Sequence, residues 1–92
     1  KNSLFFIDDL DDHIIAYKIK FFDKTYYFII NALDKEVDIN QNMRDRIFGL
    51  DKSLVKIFNQ KGIINKRLSV SDVKKIGKLS ANIYVKGEKN GL

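Results

Sequence analysis

The sequence predicts an all-β fold, an antiparallel Greek-key β-sandwich of about seven to eight strands. Three observations point there. β-branched and aromatic residues crowd the stretch from His13 to Leu33, and Asp23 is the one turn-forming residue between Tyr17 and Ile30. Short alternating apolar runs recur through the rest of the chain, with a turn signal about every ten residues. The length of 92 residues fits one domain, near the lower end of what folds without a staple. There is no cysteine, so neither a disulfide framework nor a Cys-type zinc site is available, and the compartment stays undecided.

The central stretch reads as two strands joined at Asp23-Lys24, by a tight turn or by a four-residue loop of the same register. One face then carries the pairs Phe21/Tyr26, Ile19/Phe28, Tyr17/Ile30 and Ile15/Ala32. The other carries Lys20/Tyr27, Lys18/Ile29, Ala16/Asn31 and Ile14/Leu33. The first face is wholly apolar and the second is mixed, which is how a hairpin lying on a core reads. Tyr17, Ile19, Phe28 and Ile30 are therefore expected inside, with Lys18 and Lys20 outside.

The remaining elements follow in order. Ser3 to Ile7 is an opening strand. Asp8, Asp9, Asp11 and Asp12 surround Leu10 in an acidic turn; a calcium loop is the sharper reading, but the run lacks the alternation and glycine of an EF-hand. His13, the one histidine, reads as a strand-edge residue and not as a base or ligand. A turn at Asp34-Lys35 precedes the alternating Glu36 to Asn40, with Val37 and Ile39 inward. Gln41 to Leu50 fits a short helix, with Met43, Ile47 and Leu50 at helical spacing, or a strand with a wide loop. Leu54 to Phe58 and Ile63 to Val70 form a second hairpin around Asn59-Gln60-Lys61-Gly62, where Gly62 is free to take positive φ. Ser71 to Gly77 reads as a helical turn capped by Ser71 or as a connection crossing between sheets. Leu79 to Lys86 is the last strand, with Ala81, Ile83 and Val85 on one face and Asn82, Tyr84 and Lys86 on the other. Gly87 to Leu92 is a polar tail.

Charge is uneven. Residues 1–46 hold seven basic and nine acidic side chains, a net of −2, whereas residues 47–92 hold ten and three, a net of +7. A basic half can meet nucleic acid or an acidic protein. Here the lysines (among them Lys56, Lys66, Lys74, Lys75 and Lys86) are scattered among apolar residues, so a solvated outer face is the expectation. The apolar runs are too short to span a membrane, and no signal peptide is visible. No Ser-His-Asp set with a glycine elbow, phosphate-cradling glycine loop or HExxH is present, so no catalytic residue, cofactor site or metal site is assigned. Tyr27, Ile29 and Tyr84 are placed outward, as candidate contacts to a neighbouring domain or a sugar ring.

Three segments together carry a family resemblance: S-L-F-F-I-D-D-L-D-D-H-I-I-A-Y-K (3–18), Y-Y-F-I-I-N-A-L-D-K-E-V-D-I (26–39) and L-S-A-N-I-Y-V (79–85). In order and spacing they resemble the C-terminal β-sandwich of α-amylase-family enzymes, glycoside hydrolase family 13. Lys18 stands where arginine is usual, and Ala32-Leu33 replaces a small or polar pair. The resemblance implies a single accessory domain over residues 1–92, a piece of a longer enzyme acting on α-glucans. It also implies that the catalytic carboxylates lie in a preceding (β/α)8 barrel. The implied partners are that barrel and, secondarily, an α-glucan, with no membrane and no nucleic acid. The mixed hairpin face (Ile14, Ala16, Tyr27, Ile29) is expected half-covered by the barrel. A basic β or α+β domain that binds nucleic acid or a protein is the alternative.

Overall fold

A computed structural model describes residues 2–8, 10 and 13–87. The fold is all-β, antiparallel and sandwich-like, with eight strands and one α-helix among the described residues. One layer is a six-stranded sheet. Its strands are β1 (Ser3–Ile7), β2 (Ile14–Phe21), β3 (Lys24–Asn31), β5 (Ser53–Asn59), β6 (Gly62–Ser69) and β8 (Ser80–Lys86), in the order β1-β2-β3-β8-β5-β6. The other layer is a two-stranded ribbon of β4 (Val37–Asp38) and β7 (Lys75–Ile76), together with helix α1 (Gln41–Phe48). After the β5–β6 hairpin the chain returns as β8, which enters between β3 and β5. That long return is of the Greek-key type.

The segment left open between helix and strand is a helix for local reasons. Asn40 caps it, its side-chain oxygen accepting the Met43 N–H at 2.9 Å. Gly49 ends it at φ +59°, donating its N–H to Asp45 O at 2.9 Å. Met43, Ile47 and Phe48 are buried, whereas Leu50, expected on the same stripe, is 94% exposed. The helical stripe ends at Phe48 because Gly49 turns the chain away. Gly62 takes positive φ as expected, at +109°. The turn after β6 is a single 3₁₀ turn, Val70–Asp72. It is capped by Ser69 and not by Ser71, since the Ser69 N–H and hydroxyl both reach Asp72 Oδ2 at 3.0 Å. The segment then crosses to the small ribbon, where Lys75–Ile76 pair with β4, before returning to β8. The acidic turn's Asp9, Asp11 and Asp12, and the tail from residue 88 onward, lie outside the described residues.

Two expectations for the first hairpin are corrected. The turn is the two-residue Phe22-Asp23, with Phe21 opposite Lys24, so each residue's partner lies two positions from the expected one. A two-residue shift conserves strand parity, and the two faces keep the predicted membership. The buried face, however, is the mixed one. Ile14, Ala16, Tyr27, Ile29 and Asn31 are buried, while Tyr17, Ile19, Phe28 and Ile30 remain partly exposed. Lysine position explains the reversal. Lys18 and Lys20 lie toward the hairpin tip, whereas Ile14 and Ala16, at the other end of the same face, join Met43, Ile47 and Phe48 of α1 in the core. Lys20 is exposed and Lys18 only half-buried, with its ammonium 6.0 Å from the Phe5 ring centroid.

The core consists of Ile14, Ala16, Tyr27, Ile29, Leu54 and Tyr84 from the sheet. Facing them are Ile39, Met43, Ile47, Phe48, Val73 and Ile76 from the overlying layer. Most polar groups inside this layer are tied down, the exception among the described residues being the buried Arg44 Nε, which has no hydrogen-bond partner. Asn31 donates to the carbonyls of Lys35 (2.8 Å) and Gly77 (3.0 Å) and accepts from the Leu33 N–H at 2.9 Å. Arg44 clips α1 to the crossover, one guanidinium nitrogen donating to Ile39 O (2.6 Å) and Val73 O (3.2 Å). Buried polar atoms satisfied in this way cost little.

Candidate functional site

The residues expected as outward contacts lie in the core. Tyr27 is 1%, Ile29 0% and Tyr84 2% exposed, all on the face that α1 covers. That placement is a correction, and its cause is the same reversal of faces. Phe48 stands edge-on to both tyrosine rings, with centroids 4.9 Å from Tyr27 and 5.9 Å from Tyr84. The Tyr27 hydroxyl donates to Asp51, which also holds the Lys86 ammonium at 3.3 Å. Burial first, and then the Asp51 carboxylate, push the Tyr27 phenol well above its ordinary range. Burial alone raises Tyr84 to about 12. These phenols stay protonated near neutrality and serve as structure.

Two surfaces have the make-up of a site. The first is the uncovered face of the six-stranded sheet. Cross-strand partners line up there in apolar rows: Leu4–Ile19–Tyr26–Val85–Val55, and Phe6–Tyr17–Phe28–Ile83–Phe58, with Ile15–Ile30–Ala81 beside them. The first two rows run from β1 to β5 without a charged residue, and their exposure lies toward β1, since Val85 and Val55 at the β5 end of the first row are buried. Leu4 is 65% and Phe6 56% exposed, and the Phe6 and Tyr17 rings touch at 5.4 Å. The hairpin's share of these residues is the apolar face that alternation defines, expected in the interior and found on the outer side of the sheet.

The second surface is a groove of about 300 Å³ beside β7, on the covered side of β5 and β6. Lys56, Asn59, Lys66, Asp72, Lys75 and Tyr84 border it. Lys56 and Lys66 are direct cross-strand partners, and Lys56 also faces Tyr84, its ammonium 5.6 Å from that ring centroid. Desolvation, followed by the Lys66 charge, lowers the Lys56 pKa. The expectation of scattered lysines therefore gives way at this point, because pairing of β5 with β6 brings two of them together. The alternation in each strand carried that signal, but only the register could align the strands.

Among the described residues, no group of three or more His, Cys, Asp or Glu side chains is arranged to hold a metal ion. No described helix is long and apolar enough to cross a membrane. His13 is exposed at the start of the hairpin, its carbonyl accepting the Ala32 N–H at 3.1 Å. Asp34, Glu36 and Asp38 are exposed, and their ion pairs are with Lys78 (3.8 Å, Asp34) and Lys75 (3.4 and 3.7 Å, Glu36 and Asp38). Searches with family models and among curated proteins find no match to this chain.

Proposed function

We propose that the chain is a non-catalytic accessory domain of an α-glucan-active glycoside hydrolase, which packs against the catalytic (β/α)8 barrel and stabilises it. The observation that carries this reading is the outer sheet face, whose charge-free rows are exposed at Leu4 and Phe6 and partly exposed through β2 and β3. A contiguous apolar patch of this kind marks an interaction surface. Covering it returns about 25 cal/mol for each Å² of apolar surface removed from water. The resemblance of residues 3–18, 26–39 and 79–85 to the C-terminal sandwich of α-amylase-family enzymes supplies the identity of the neighbour. Buried as they are, Tyr27 and Tyr84 have no part in α-glucan contact, so any sugar contact falls to other residues.

The test is the reading frame that encodes these residues. Several hundred upstream residues that fold as a (β/α)8 barrel, and a barrel that loses thermal stability when Phe28→Lys is introduced here, support the proposal. A reading frame with no barrel overturns it. So does release of reducing sugar from starch by the purified 92-residue chain, abolished by substitution of one of its own aspartates.

A further inference from the structure

We infer that the groove between β5–β6 and β7 is a binding site for a tetrahedral oxyanion, a phosphate or sulfate group, held by Lys56, Lys66 and Asn59. Lys56 and Lys66 face each other across antiparallel strands, and like charges in that position repel. Neither has a carboxylate at ion-pairing distance among the described residues. The groove's carboxylate, Asp72, accepts from the N–H and hydroxyl of Ser69 and feels the Lys66 charge only as a lesser influence, and Lys75 is occupied by Glu36 and Asp38. Asn59 accepts the Lys61 N–H at 2.8 Å through its side-chain oxygen, which leaves its NH2 group to donate.

The local backbone reinforces the point. Strand register shifts between Lys56 and Phe58 against both neighbours, and such irregularities re-aim side chains beside sites. Lys56 is half-buried, so its charge is screened less than that of a surface lysine and is worth more to an anion. The volume sits at the small end of ligand sites, roughly 300–1,000 Å³, which suits a phosphate group or a small ester. A nucleic-acid strand is disfavoured by the groove's aromatic residue. Tyr84 is 2% exposed and offers no face for base stacking.

The experiment titrates inorganic phosphate and, separately, glycerol phosphate into the 92-residue chain at a fixed ionic strength of about 0.15 M set with chloride. NMR follows the lysine ε-methylene signals, and thermal unfolding is recorded in parallel. A saturable shift at Lys56 and Lys66, with a raised midpoint and a Lys56 pKa that moves back up, supports the site. The Lys56→Gln/Lys66→Gln double variant should weaken the response at least about tenfold. It should also melt no lower than the parent without phosphate, because the repelling pair is gone. Response in both arms assigns the oxyanion group itself, and response to glycerol phosphate alone assigns an organic ester. Absence of saturation in both arms overturns the inference, as does an undiminished response in the double variant. Tight binding of a single-stranded oligonucleotide at the same salt, lost in that variant, replaces it with a nucleic-acid surface.

Discussion

The two faces of the six-stranded sheet invert the usual relation between polarity and burial. The covered face is chemically mixed, with Asn31, Asn82, Tyr27 and Tyr84 beside Ile14, Ala16 and Ile29. The uncovered face carries the apolar rows. Connectivity accounts for the difference. The β3–β5 connection and the β6–β8 connection both pass over the same side, because β8 enters between β3 and β5. They deliver Ile39, Met43, Ile47, Phe48, Val73 and Ile76 to that side, together with the carbonyls that satisfy Asn31. A face becomes core when the chain supplies a lid with matching polar partners. Apolar content alone decides only that a face seeks cover.

The strongest way to break this comparison is a matched pair of truncations on adjacent residues of β3. Ile29→Ala, on the covered face, should cost about 2–5 kcal/mol. Phe28→Ala removes a larger side chain but from the uncovered face, and should cost about 1 kcal/mol. Urea midpoints of the two variants decide. A larger loss for Phe28→Ala would reverse the assignment of faces.

Next in size is the phenol layer under α1. Tyr27→Phe removes the hydrogen bond to Asp51 and should cost about 1–3 kcal/mol. The same layer predicts alkaline sensitivity. Tyr84 titrates at about 12 in the folded chain against 10.0 unfolded, so the unfolded chain loses this proton first as pH rises. Its contribution is complete below pH 10 and is lost between pH 10 and 12, and Tyr27 extends the loss to higher pH. Lys56, whose pKa is lowered, acts oppositely: its charge is a cost near neutrality that fades as it deprotonates. Stability measured against pH in Tyr84→Phe should fall less steeply across that window than in the parent. An unchanged slope would remove Tyr84 from the layer.

Much of this architecture is legible in the sequence, and the failures have specific causes. Strand parity was legible in both arms of the hairpin and in β8, since alternation is a local property of 14–21, 24–31 and 80–86. The turn was misplaced because Phe22 is an improbable turn residue; its positive φ has no compositional signal. The choice of buried face was not legible, because it depends on where α1 and β7 land, which no periodicity within the hairpin encodes. For the same reason Tyr27 and Tyr84 read as outward. The Lys56–Lys66 pairing needed the β5–β6 register, which the shift after Lys56 obscures.

A smaller effect separates cover from stability. Phe28→Lys should change the stability of the isolated chain by no more than about 1 kcal/mol, because its side chain is partly in water already. It should nonetheless lower the binding of a hydrophobic dye and any self-association seen by light scattering. If dye binding stays at the parent level, the uncovered rows are not an accessible apolar surface.

The smallest effect tests the turn itself, away from both faces. Phe22 has φ +57° and its side chain is 72% exposed, so the ring gains little from burial while the backbone sits where a Cβ is crowded. Asparagine tolerates this conformation better, since its short side chain can hydrogen-bond locally. The Phe22 N–H donates to the Asn2 side-chain oxygen at 3.1 Å, a backbone contact that the substitution retains. What is lost is the edge-on contact with the Phe21 ring, 4.5 Å between centroids, in which both partners are largely exposed. Relief of about 1 kcal/mol against a few tenths lost leaves Phe22→Asn stabilising by about 0.5 kcal/mol. Urea unfolding with an unchanged m-value should record it as a higher midpoint. A lower midpoint would place the two-residue turn elsewhere and reopen the register on which both faces depend.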